Sequence, residues 1–336
     1  MRQTVIGRFA LFLLRLLGAF VFLGFALWGA LALTFRLPVP LTMRYVAAAV
    51  FVVLALMAVL GLWRRRSLWP FAYAGVIVLL LGWWSTIVPR GDKDWAPDVA
   101  LTLTGKVEGG AVHFTNIRNF DWRSNSDFTE RWEDATFALD DLRSVDLINS
   151  YWAGPKIAHT LVSFGFTGDR YLVFSIEVRR RKGEEYSEIA GFFKEDELAI
   201  VGARERDIIR VRSNVRGEDV QLFHVRVEPA TAQRIFLALV EEANDIAAQP
   251  RFYNTVTANC TTLLFKLAHG LDRALPLDWR ILVSGYLPDY AYDQGLLDSD
   301  VPLAELRARG RINERAQAAD RSEAFSTLIR DGVPGP

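Results

Sequence analysis

Two regimes of hydrophobic patterning divide the chain near Pro89. Before it, apolar residues run almost unbroken. After it, they recur at the two-residue and three-to-four-residue spacings of strands and helices in a packed domain. Three early runs, residues 16–35, 43–63 and 68–88, contain no acidic residue. Each approaches the ~20 residues with which a helix crosses ~30 Å of hydrocarbon. Trp28, Trp63, Trp69, Trp83 and Trp84 fall mostly near run ends, where an interfacial aromatic belt is expected.

Basic residues orient these spans. Arg2, Arg8 and Arg15 precede the first, and Arg64, Arg65 and Arg66 fill the turn between the second and third; the other connection has only Arg36 and Arg44. The positive-inside bias places the N-terminus and the Arg64 turn in the cytoplasm. Three crossings then put everything after Pro89 outside. Ala30-Leu31-Ala32 is a poor cleavage site for a signal peptide, so the first run reads as a retained helix. The expected division is an anchor at 1–90 and an outer domain at 91–336, in a membrane protein.

Residues 90–95 form a polar exit linker. Alternation over 100–107 and 111–117 predicts a hairpin around Glu108-Gly109-Gly110. Residues 132–148 are expected to end in a strand or short helix. A second hairpin joins 159–166 to 170–180 through Thr167-Gly168-Asp169. In its second strand Leu172, Phe174, Ile176 and Val178 share one face, and Tyr171, Val173, Ser175, Glu177 and Arg179 the other. A strand follows at 220–227, a helix at 231–247 closing before Pro250, and a helix at 261–271. Residues 287–298 look loop-like. Short surface helices are expected at 302–307 and 312–330.

With 39 basic and 39 acidic residues the chain has no global field that points to nucleic acid. One cysteine, Cys260, excludes an internal disulfide, and one cysteine with scattered histidines excludes a zinc-type ligand set. The sequence calls for no metal and no cofactor. An idle thiol outside the cytoplasm is a liability unless it is buried or used.

Cys260 stands directly before a predicted helix, where unpaired N–H groups and the helix dipole favour a thiolate and an oxyanion. A buried structural cysteine is the plain alternative. A histidine base would decide for chemistry. His269 is roughly 13 Å along the same helix, and His113 and His224 sit mid-strand with no acid in register. His159 begins the first strand of the second hairpin. A three-residue turn that pairs Phe166 with Arg170 sets Phe164 against Leu172 and Val162 against Phe174. The same register puts His159 opposite Glu177. The pattern is that of a thiol nucleophile, a base and an orienting acid, whose order along the chain is free. The basic run 179–182 (RRRK) reads as a solvated turn balanced by Glu184 and Glu185, with contact to anionic lipid as the alternative.

Several blocks carry a family resemblance: Ile117-Arg118-Asn119-Phe120, Ala158-His159-Thr160, Ser163-Phe164-Gly165-Phe166, Ser175-Ile176-Glu177-Val178-Arg179, Glu205-Arg206-Asp207, Phe252-Tyr253-Asn254 and Asn259-Cys260-Thr261-Thr262. Together, over about 114–262, they resemble the bacterial Lnb N-terminal periplasmic domain family. The resemblance implies an α+β fold, three transmembrane helices here being followed by a permuted papain-like (NlpC/P60-like) domain with a C-terminal helical extension. It also implies a Cys–His pair at Cys260 and His159. Family namesakes are lipoprotein N-acyltransferases, which implies a phospholipid or lipoprotein substrate. The three-helix anchor departs from the namesake's layout. Catalytic candidates are Cys260, His159 and Glu177; oxyanion or substrate-binding candidates are Asn259, Tyr253, Asn254 and Arg179. The expected activity is a thiol acyltransferase or hydrolase at the outer leaflet. A cell-wall peptidase or amidase with the same dyad, or a non-catalytic binding module, are the alternatives.

Overall fold

A computed structural model describes residues 2–64, 66–184, 187–298 and 300–335, without the side chains of residues 2–5. The side chain of Arg2, and Arg65 and Glu185, used above, lie outside the described residues. The chain forms two compact units. The first comprises Met1–Pro89 and Ser187–Glu195, and the second Arg90–Tyr186 and Asp196–Pro336.

In the first unit the three apolar runs are helices: α1 (Arg2–Arg36), α2 (Leu41–Gly61) and α3 (Trp69–Thr86). All three are long and apolar enough to cross a membrane, and most of each apolar window faces outward. Their mutual contacts use small residues: Ala26, Ala55 and Ala58 are buried around Phe51 and Tyr73, as expected where lipid is no less apolar than leucine. Gly29 is required by this approach, because a Cβ there would stand 2.3 Å from the Phe51 ring. α1 is longer than its apolar run. Arg44 turns back to donate to the Val39 carbonyl at 2.9 Å and the Phe35 carbonyl at 3.3 Å. This satisfies the C-terminal end of α1.

The second unit is built on a sheet. Its strands are β1 (Thr104–Glu108), β2 (Ala111–Arg118), β3 (Asp121–Trp122), β4 (Phe128–Thr129), β5 (Trp132–Ala138), β6 (Leu142–Tyr151), β7 (Ala158–Phe166), β8 (Arg170–Arg179), β9 (Glu197–Ala203) and β10 (Asp219–His224). Among the described residues the main sheet runs β1-β2-β9-β8-β7-β6-β10, with β5 also on β2. Among the described residues its strand pairs are antiparallel except β2 with β9. Helices α4 (Glu205–Arg210), α5 (Pro229–Ala248) and α6 (Cys260–Leu271) follow, then α7 (Leu287–Asp293), α8 (Leu303–Gly310), α9 (Asn313–Ala319) and α10 (Phe325–Leu328). The unit is of the mixed α and β class.

Strand alternation divides the core into two layers. Val162, Phe164, Leu172, Phe174 and Ile200 face α5 and α6, packing on Phe236, Leu239 and Leu263. Leu161, Val173, Val201 and Leu222 face the opposite way, onto Ile208, Ile209, Ala316 and Phe325. The C-terminal helices therefore close the second face of the sheet, correcting the expectation of surface helices. Residues 287–298 also differ from expectation. Pro288 sits in the first turn of α7, and Leu287, Tyr290 and Ala291 are buried. The hydrophobic spacing there was too short to register as a helix. β9 was not foreseen: a continuous buried run in mid-sheet has no alternation to reveal it.

Candidate active site

The second hairpin has the expected register. Phe166 pairs with Arg170, Phe164 with Leu172 and Val162 with Phe174. The turn needs positive φ at Gly168 (79°) and Asp169 (55°), conformations open to glycine and tolerated by aspartate. The β7–β8 ladder ends at Leu161 and Ser175, however. β7 continues paired with β6 to Ala158, and β8 continues with β9 to Arg179. Beyond the last shared rung the two strands answer to different neighbours, and α6 packs against both.

At this split the side chains of His159 and Glu177 meet. His159 Nε2 lies 3.2 Å from Glu177 Oε1 and 2.7 Å from Ser175 Oγ. The Ser175 hydroxyl donates to Glu177 Oε1 at 2.6 Å. A hydroxyl has one proton. Because Ser175 gives it to Glu177, its oxygen must accept from Nε2–H. Nε2 is therefore the protonated ring nitrogen, and Nδ1 is the one left to exchange a proton. The Cys260 thiol is near enough to this ring and to the Thr160 backbone for both to act on its charge.

Electrostatics favour an ion pair. Burial and the neighbouring Arg212 guanidinium oppose the imidazolium, while Glu177 and the nearby Cys260 favour it; the His159 pKa is pushed up to about 9. Burial raises the Cys260 pKa, but the His159 ring and the Thr160 backbone outweigh it, and the thiol falls below its usual value. Burial likewise opposes the Glu177 carboxylate, yet His159, Arg212 and Ser175 hold it well below the usual carboxylate range. All three shifts favour charged forms in a site that is largely closed: Cys260 is 8% exposed.

The helix start is shaped by Asn259. Its Oδ1 accepts from the Thr261 and Thr262 amides at 3.0 and 2.9 Å, and the Thr262 hydroxyl accepts from the Asn259 amide at 3.0 Å. This reciprocal capping box fixes where α6 begins and hence where Cys260 points. It also occupies two of the N–H groups that the sequence left open for an oxyanion. Asn259 Nδ2 donates to the Thr255 carbonyl at 2.6 Å. Asn254 Oδ1 accepts from the Val256 and Thr257 amides, forming the turn before the helix. Tyr253 is buried in the same core cluster as Cys260.

Arg179 is placed elsewhere: its guanidinium donates to the Val99 and Ala100 carbonyls and lies 4.6 Å from the Trp95 ring centroid. Of the neighbouring basic residues, Arg180 pairs with Asp98 at 2.8 Å and Arg181 with Glu184 at 2.6 Å.

Two site residues escaped sequence reasoning. Ser175 shares the β8 face of Glu177, two residues away, and that spacing was the available signal. Arg212 lies in a π-helical turn, Val211–Val215, that continues α4. It donates to Glu177 Oε1 and Glu218 Oε2, each at 3.2 Å; no short-range pattern marks it. His224 needs a correction. It does have an acid in register, Asp146, whose Oδ1 lies 2.5 Å from its Nδ1. Arg330 pairs with Asp146 and Glu205, so the group knits the C-terminus onto the sheet.

A buried hub explains two of the sequence blocks. Asp207 accepts from Arg118 Nε and Nη2 at 2.8 and 3.0 Å, from the Phe120 amide at 2.9 Å and from Trp122 Nε1 at 2.7 Å. Four donors stabilise a carboxylate with no solvent exposure.

Residues 128–285 match the family model of the Lnb N-terminal periplasmic domain. That segment is what the chain shares with the family. No curated protein and no solved structure matches the chain. With three candidate spans ahead of a periplasmic domain, this is an inner-membrane protein whose C-terminal domain is periplasmic.

Proposed function

We propose that the protein is a membrane-anchored thiol acyltransferase or hydrolase, acting on phospholipid or lipoprotein at the periplasmic face. The observation that carries this reading is the contiguous set Cys260, His159, Ser175 and Glu177 in a largely closed site. The permuted papain-like reading rests on the same arrangement, a helix-borne cysteine meeting a histidine from an earlier strand of an antiparallel sheet. The working division is an anchor at 1–90 and a catalytic domain at 91–336.

The Cys260 thiolate attacks an ester carbonyl of the lipid. The Cys260 amide, which Asn259 leaves unclaimed by its side chain, is the first-turn donor nearest the developing oxyanion. As the carbon–oxygen bond breaks, His159 gives its Nδ1 proton to the departing alkoxide, leaving an S-acyl enzyme. An amine or water then attacks the thioester and yields its proton to Nδ1. Cys260 leaves as thiolate, and an amide or a fatty acid is released. Glu177 and Ser175 hold the ring on Nε2 throughout.

The test is intact-mass analysis of the full chain after exposure to phospholipid vesicles. An acyl mass on Cys260, absent in Cys260→Ala, is the expected result. Turnover of peptidoglycan fragments without an acyl adduct would replace this reading with a cell-wall peptidase. Neither product, with Cys260→Ala indistinguishable from the native chain, would leave a non-catalytic module.

A further inference from the structure

The first compact unit contains a segment that is remote from the spans in sequence, Ser187–Glu195. It lies between β8 and β9. Its inward side is tied to the ends of α1 and α3. Phe193 stacks on Phe35 at 5.4 Å and meets Trp84 edge-on at 6.4 Å. Lys194 Nζ donates to the Trp84 and Ile87 carbonyls, each at 3.0 Å. Those carbonyls lie at the C-terminal end of α3, where a cation also meets the negative pole of the helix dipole. Glu195 pairs with Arg36 at 3.3 Å, at the end of α1.

Its outward side is apolar. Ala190–Phe192 is a single 3-10 turn. Three residues per turn brings positions i and i+3 into line, so Ile189 and Phe192 stand together. They are 55% and 45% exposed, while Ala190, Gly191 and Phe193 are buried. Val88, just past the end of α3, is 62% exposed. The spans whose ends hold this turn are themselves covered by lipid. An apolar pair fixed at the rim of that lipid-covered surface has the bilayer as its continuous neighbour.

We propose that Ser187–Glu195 is an interfacial membrane anchor, with Ile189 and Phe192 seated in the periplasmic leaflet of the inner membrane. The segment returns the chain to the bilayer between the strand that carries Glu177 and its neighbour β9. It is a fourth attachment, made by a turn and not by a span. The inference is independent of the thiol chemistry.

The test uses the full chain in lipid nanodiscs, with Cys260→Ser removing the native thiol. A single cysteine at Phe192→Cys, and separately at Ile189→Cys, carries an environment-sensitive fluorophore. Both positions are expected to give blue-shifted emission, quenching by lipids spin-labelled near the headgroup, and little quenching by aqueous iodide. Iodide quenching equal to that of the free dye at both positions would overturn the proposal. Protection from iodide without quenching by spin-labelled lipid would also overturn it, and would point to a second protein on this surface.

Discussion

Glu177 reaches His159 across two strands that have already parted: their side chains are 3.2 Å apart, two residues beyond the last rung that β7 and β8 share. The contact therefore belongs to the side chains and not to the ladder. Glu177→Gln keeps the shape and removes the charge that favours the imidazolium. His159 then titrates lower and the thiol higher. Turnover is expected to fall on the order of 10²-fold, in keeping with the worth of a positioned acid–base group. Steady-state kinetics against phospholipid checks this, and an unchanged rate would remove Glu177 from the site.

Ser175 fixes the tautomer by accepting from Nε2–H. Ser175→Ala should lower turnover roughly 10-fold, the equivalent of ~1.5 kcal/mol for a hydrogen bond to a charged partner. Because Ser175 acts through Glu177 and His159, its effect and that of Glu177→Gln should be less than additive in the double variant. Full additivity would mean the hydroxyl acts separately.

The charged pair makes stability depend on pH in both directions. Glu177 is held below the ordinary carboxylate range, so its contribution is present above ~4.3 and is lost as pH falls through its lowered folded value. His159 is raised to about 9, so its contribution is full below ~6.5 and is lost as pH rises through about 9. The second limb is on the order of 3 kcal/mol, shared among the groups that cause it. Thermal unfolding of the full chain in micelles should have its highest midpoint between these limits. Glu177→Gln should flatten both limbs, and a profile unchanged by the substitution would contradict the assignment.

Asn259 caps α6 through two amides and closes a capping box. Asn259→Ala should cost ~1 kcal/mol, the usual loss for such a cap. It should also loosen the placement of Cys260, so turnover falls more than stability alone explains. Asn259→Asp, which retains the cap acceptor, should recover most of the stability. Measured unfolding free energies beside turnover separate the two effects.

The sequence made the hairpin register legible because one face of each strand is buried: a one-residue slip would have reversed Phe164 and Phe174 together. The membrane spans were legible from length and charge alone. What stayed hidden depends on tertiary contact. Arg212 reaches Glu177 from 35 residues away along the chain, and Asp146 meets His224 only because β10 pairs with β6. Asn259 was read as an oxyanion candidate, since sequence shows a helix start but not which donors its own cap consumes.

The central claim is that Cys260 and His159 form a thiolate–imidazolium pair. The most direct measurement is the pH profile of Cys260 alkylation, followed by mass spectrometry, in the native chain and in His159→Ala. The midpoint, and not the absolute rate, is the readout, because burial slows any reagent. The midpoint is expected below the ~8.5 of a free thiol and should move up in His159→Ala. A midpoint at or above that value, unmoved by loss of the histidine, would contradict it.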